Sequence, residues 1–271
     1  MKKVLIAVLC MVLASMVLLT GCGGQSSSEN QSENHSSGDS ESSGESQAAD
    51  DNVLVMSTNA QFPPYEFYEG DTIVGIDAEI AQAIAEKLGM TLQINDMDFD
   101  PAITAAQTGQ SDFVMAGLTI TPERQENLNF TDTYATGIQV VIVPEGSDIA
   151  SIDDLAGKLI GVQQGTTGDT YCSGDFGDDA VVKYASGPLA VEALKNGQVD
   201  CVVIDNEPAK QFVEANEGLV ILETEYAYED YAIGIAKNNT ELLEKVNDAL
   251  KDLIDDGTVQ SIIDKYINAD E

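Results

Sequence analysis

From Val4 to Leu19 the chain is almost wholly apolar, from Gly23 to Asp50 it is polar or small, and from Asn52 onward apolar and polar positions alternate in two periods. The first block follows Lys2 and Lys3 and falls short of the ~20 residues a helix needs to cross a bilayer, so it reads as an export leader. The second block contains no Val, Ile, Leu, Phe or Tyr. It cannot bury enough apolar surface to offset its ordering entropy and reads as a flexible tether with ~30 Å of reach.

Beyond Asn52 the period switches repeatedly between 2 and 3.6, the alternation of an open α/β layer structure. VLVMST is a strand, and AEIAQAIAEKLG is a helix with Ile80, Ala81, Ile84 and Leu88 on one face, Asp77 as its cap and Gly89 as its stop. Thr91–Ile94 is a strand, Pro101 opens a helix, and Phe113–Ala116 is a strand. The pattern restarts after Val143 with a strand at Leu159–Val162, a Gly-Thr turn (GVQQGTTG), a helix in SGPLAVEALKNG, and a strand at Cys201–Ile204. A helix in PAKQFVEANEG, strands in LVILET and YAIGIAK, and two helices parted by Gly257 complete it.

One phrase occurs twice, TGQSDFVMAG over Thr108–Gly117 and NGQVDCVVID over Asn196–Asp205. In each, a helix stops at Gly109 or Gly197, the chain turns at Asp112 or Asp200, and a strand follows. Either this is shared helix-turn-strand vocabulary or the chain has two equivalent lobes. In the second case Gly117 and Asp205 end matching strands and face one cleft, because open sheets place ligands beyond the carboxyl ends of their strands.

Charge narrows the partners. The chain has 12 basic residues, two of them in the leader, against 47 acidic ones, for a net charge of −35. Such a field repels nucleic acid and anionic lipid surfaces. It suits a cationic ligand or serves solubility. The single histidine, His35, lies in the tether, so the folded part has no Ser-His-Asp or Cys-His arrangement. Of the four cysteines, Cys10 lies in the leader. Cys172 and Cys201 are too few and too far apart for a zinc cluster; in an exported protein they form a disulfide or remain two buried thiols.

Leu19-Thr20-Gly21-Cys22 resembles the lipobox of bacterial lipoproteins, which implies a signal peptide over 1–21, lipidation at Cys22 and a membrane-tethered protein with its tether over 22–51. Four further segments, FPPYEFYEGDTIVGIDAEIAQAIAEKLG, MAGLTITPERQENLNFTDTY, GVQQGTTG and DCVVIDNEPA, resemble in order and spacing the extracellular solute-binding proteins (family 3) that deliver polar amino acids to ABC transporters. The resemblance implies a two-lobed periplasmic-binding-protein-like α/β fold joined by two crossover strands near Gly137–Val140 and Asp230–Ile233. Lobe 1 is then 52–138 plus 233–271, and lobe 2 is 139–232.

It also implies a site for an amino-acid zwitterion. Arg124, Thr119, Thr166 and Thr167 take the carboxylate; Asp205, Gly117 and Thr119 take the ammonium; Asn59, Phe62, Phe99 and Gln163 meet the side chain. Some relatives carry a carboxylate where this chain has Asn59. That departure favours a neutral polar ligand such as glutamine over a cationic one, with Glu66 nearby in sequence. The expected protein is a monomer without cofactor or metal that hands its ligand to ABC permease subunits. A dehydratase-like enzyme on the same fold, using a carboxylate base, and a ligand-sensing partner are the alternatives.

Overall fold

The computed structural model describes residues 52–223 and 225–267; the leader, Cys22 and the tether lie outside them. In chain order the first half runs β1 Val53–Thr58, β2 Gln61–Phe62, β3 Glu66–Glu69, β4 Thr72–Val74, α1 Ile76–Leu88, β5 Thr91–Asp96, α2 Phe99–Thr108, β6 Phe113–Val114, α3 Pro122–Asn127 and β7 Leu128–Phe130. The second runs β8 Ala135–Pro144, β9 Ile160–Gln163, α4 Thr167–Phe176, β10 Val181–Tyr184, α5 Gly187–Lys195, β11 Cys201–Asp205, α6 Asn206–Glu214, β12 Leu219–Ile221 and β13 Ala227–Tyr231. The chain then returns through β14 Gly234–Ala236, α7 Thr240–Asp255 and α8 Thr258–Ile267.

These strands make two sheets of one plan. The first has the order β5-β1-β6-β14-β7 and the second β10-β9-β11-β8-β12, with β13 also pairing β8. In each, three parallel strands lead into antiparallel ones. The two repeated phrases supply β6 and β11, which occupy the same place: last of the parallel trio, beside an antiparallel neighbour. The two connections between the sheets lie side by side, because β8 and β13 pair antiparallel from Ala135↔Tyr231 to Gln139↔Ala227. A small β2-β3-β4 sheet stands apart from both.

The repeated aspartates have a shared physical task. Asp112 accepts from the Val55 N–H at 2.7 Å, and the Val55 carbonyl accepts from the Asp112 N–H at 2.8 Å. Asp200 makes the same reciprocal pair with Leu159, both distances 2.8 Å. Each clamp pins the turn before β6 or β11 to the adjacent parallel strand. Asp112→Ala and Asp200→Ala are therefore expected to destabilise by similar amounts, about 1–2 kcal/mol each for a deprived backbone donor, measured by urea denaturation.

Helix ends follow the sequence closely, with Gly89 and Gly109 closing α1 and α2 in the left-handed conformation at φ 70° and 75°. Asp77 does not cap α1. Gly75 holds the cap position, and Asp77 is fully buried in the first turn, accepting from the Gly117 N–H at 2.8 Å and the Tyr134 hydroxyl at 2.9 Å. A carboxylate at this depth is held by tertiary donors rather than by its own helix.

Cys172 of α4 and Cys201 of β11 share one apolar cluster with Val141, Ile160 and Val203. They are free thiols, not a disulfide. Burial pushes each thiol up to about 12, which disfavours the thiolate that disulfide formation requires.

Candidate functional site

The carboxyl ends of the two parallel trios point toward each other across a narrow cleft, and twelve residues line the space between them. Ten are those singled out in the sequence: Asn59, Phe62, Phe99, Gly117, Thr119, Arg124, Gln163, Thr166, Thr167 and Asp205. The other two are Glu66 and Ala116.

On the first wall, β6 delivers Gly117, whose N–H is held by Asp77 and whose φ of +52° turns the chain. A Cβ there would lie 2.7 Å from Phe62 Cε1, so only glycine lets the Phe62 ring close over this strand end. Thr121 caps α3 by accepting from the Arg124 N–H at 3.1 Å, which seats Arg124 in the first turn. The guanidinium donates to the Thr119 carbonyl at 2.8 Å and stands 5.3 Å over the Phe99 ring. Burial depresses Arg124, while Glu229, Asp205 and Asp100 favour its charge. It keeps donors for a carboxylate, and the ring holds its plane.

The second wall is built from β9, α4 and β11. Thr166 caps α4, its hydroxyl donating to the Gln163 carbonyl at 2.8 Å and accepting from the Asp169 N–H at 3.4 Å. The hydroxyl is thus occupied by the turn, and the first-turn N–H groups at Thr167 carry the attraction for an anion. Asp205 ends β11 at the cap position of α6 but makes no side-chain cap bond; it accepts from the Tyr231 hydroxyl instead. Burial first, then the Glu229 carboxylate, push it up to about 7, against the pull of Tyr231 and Gln139.

Protein atoms also join the walls directly. Gln163 Nε2 donates to Asn59 Oδ1 at 3.0 Å, and Arg124 donates to the Gly165 carbonyl at 3.2 Å. Gly165, at φ +77°, passes so close to the Asp100 carboxylate that any Cβ would collide with it.

Three buried carboxylates escaped the list drawn from sequence. Glu66 opens β3, is 1% exposed, and leaves Oε2 without a partner. Glu229 of β13 accepts from Thr119 at 3.1 Å and Gln139 at 3.0 Å and leaves Oε1 without one. Asp77 leaves Oδ1 likewise. The available signal was an acidic residue inside an aromatic strand: FPPYEFYEG places Glu66 between Tyr65 and Phe67, where a solvated charge has no reason to be.

Two α/β lobes enclose a cleft that gathers an arginine, buried carboxylates, an aromatic face and a helix start, a set suited to a small molecule of mixed charge. The chain belongs to the bacterial extracellular solute-binding proteins, family 3, whose model matches residues 54–269. It is 34% identical over 224 residues to the arginine-binding extracellular protein ArtP of Bacillus subtilis, covering 80% of this chain and 87% of that one. A crystal structure of the arginine-, lysine-, histidine-binding protein ArtJ of Geobacillus stearothermophilus matches at TM-score 0.76 and 33% identity, covering 81% and 96%. An ancestral arginine-binding protein bound to glutamine matches at TM-score 0.76 and 40% identity, covering 80% and 98%. The protein accordingly acts outside the cytoplasm as the amino-acid-binding component of an ABC transporter, and its family and relatives are binding proteins rather than enzymes.

Proposed function

We propose that the ligand is an amino acid with a cationic side chain, arginine foremost. The observation that carries this is Glu66: a buried carboxylate lining the cleft, with an oxygen unpartnered and no lysine or arginine paired with it among the described residues. A guanidinium supplies the charge and the forked donors that such a group lacks.

The leaning toward a neutral ligand rested on Asn59. Its amide is already engaged, Nδ2 donating to the Met97 carbonyl at 2.9 Å and Oδ1 accepting from Gln163 at 3.0 Å. Reading the ligand side chain therefore falls to Glu66, which lines the cleft along with Phe62 and Phe99. The names of two relatives, one arginine-binding and one arginine-, lysine- and histidine-binding, support the same class.

In this reading Arg124, Thr119 and the Thr166–Thr167 turn grip the α-carboxylate, while Asp205, the Gly117 carbonyl and Thr119 hold the α-ammonium. The lobes divide as 52–138 with 233–271 and 139–232, and lipid at Cys22 tethers the protein to the outer face of the cell membrane. Calorimetric titration of the delipidated protein, unfolded and refolded to strip carried-over ligand, tests the substrate class. Arginine should bind at least tenfold more tightly than glutamine at pH 7.5; the reverse order rejects the cationic ligand.

A further inference from the structure

The carboxylates of Glu66 and Asp77 meet in the interior, and the group that joins them is missing from the set of protein donors. Each is buried, and each has one oxygen, Glu66 Oε2 and Asp77 Oδ1, with no donor. The Asp77 N–H donates to the Tyr65 carbonyl at 2.9 Å, which sets the start of α1 against the residue before Glu66 and turns the two buried carboxylates on each other. An ionised carboxylate only accepts, so two of them can bond only through a proton.

We propose that Asp77 sets the choice between cationic and neutral side chains: it shares one proton with Glu66 before a ligand enters, and a cationic ligand group displaces that proton. This rests on the proposal that Glu66 faces the ligand side chain.

The arrangement determines which partner carries the proton. Asp77 Oδ2 already accepts from the Gly117 N–H and the Tyr134 hydroxyl, and these donors favour its charged form. Glu66 has no comparable donor, so the proton resides on Glu66 and bonds to Asp77 Oδ1. Burial foremost, then the charge of Asp77, raise Glu66 well above the carboxylate range, with Asp205 from β11 and Asp96 from β5 adding to it. Tyr65 and Tyr134 also face the pair, each kept protonated by burial and the same carboxylates. Burial pushes Asp77 itself up to about 6. The pair therefore titrates as a unit, and no described basic side chain offsets it.

When a guanidinium enters, the O–H bond on Glu66 breaks, its proton passes to the buffer, and ligand N–H groups take up the freed lone pairs. A neutral side chain instead leaves that proton between Glu66 and Asp77, and its own N–H groups donate to the remaining acceptor capacity of Glu66. The sign follows: a raised carboxyl pKa means that cation binding costs a deprotonation at low pH, so arginine affinity rises with pH until the pair has ionised. Neutral-ligand affinity is level or falls over the same range. Asp77 acts through Glu66 and Gly117 and is a positioning residue.

The test is proton release, counted by calorimetry of arginine and of its neutral isostere citrulline in buffers of different ionisation enthalpy. Any proton displaced from Asp205 by the common ammonium cancels in the difference. Near pH 6 the wild type should release about one proton more with arginine, and the arginine-to-citrulline affinity ratio should rise up to about tenfold per pH unit. In Asp77→Asn, whose amide can donate to Glu66, the difference should fall toward zero and the pH slope flatten. A merely structural role would weaken both ligands alike and leave the difference intact. Tyr134→Phe removes a donor to Asp77 without changing side-chain shape and should move the onset of arginine preference to higher pH; this keeps the idea testable should Asp77→Asn misfold.

Equal proton release by the two ligands in the wild type overturns the proposal, as does an unchanged difference in Asp77→Asn or no citrulline binding at pH 5. Absence of arginine binding at every pH would instead reject the cationic ligand itself.

Discussion

Arg124→Ala is expected to lose most amino-acid binding, by about 2–5 kcal/mol, or at least about 30-fold. Two contributions vanish together. One is the forked donor set for the ligand carboxylate. The other is the bond from the guanidinium to the Gly165 carbonyl, which links the first wall to the turn before α4. The same change removes a cation that offsets Asp205, a group that burial pushes up to about 7, so the variant should lose more melting temperature at pH 8 than at pH 5.5, relative to wild type. Arg124→Lys separates charge from shape: it keeps the positive charge but cannot hold Thr119, Gly165 and a carboxylate in one plane. It should recover stability and little affinity. Near wild-type affinity in Arg124→Ala would remove the carboxylate role assigned to it.

Glu66→Gln is expected to reverse selectivity rather than abolish binding. Arginine affinity should fall about 100-fold, because a desolvated guanidinium loses its counter-charge, whereas glutamine affinity should change by less than about threefold. The α-carboxylate and α-ammonium contacts remain, so competition calorimetry of both ligands on one preparation reads the ratio directly. A parallel loss for both ligands would mean that Glu66 supports the cleft without reading the side chain.

The α/β plan and the paired lobes were legible because helix stops and strand periods are local properties. The reciprocal clamps at Asp112 and Asp200 explain why the phrase repeats, and β6 and β11 show what the repeat positions. The cleft residues were legible chiefly through motif resemblance, which carried Arg124 and Asp205 to one cavity from segments far apart in sequence. Burial was less legible. Asp77 has the residue type and position of a cap, and only tertiary packing assigns it to Gly117 and Tyr134. Glu66 could be noticed but not placed, since nothing local says whether an acidic side chain in β3 faces solvent or the cleft. Asn59 lines the cleft, but its amide partners, Met97 and Gln163, are set by tertiary packing and are not local properties. The two cysteines stayed open until their burial as free thiols was visible.

The amide bridge from Gln163 to Asn59 has a kinetic consequence. A contact made by protein atoms alone raises the population of the shut conformation irrespective of ligand, and apparent affinity scales with the fraction of molecules able to bind. If binding begins in the open conformation, each such molecule must first reopen, so the bridge slows capture. It also lengthens the residence time of whatever has been caught, because escape requires the same bond to break. Replacing Gln163 would therefore shift both rates upward together, a coupling that affinity alone conceals.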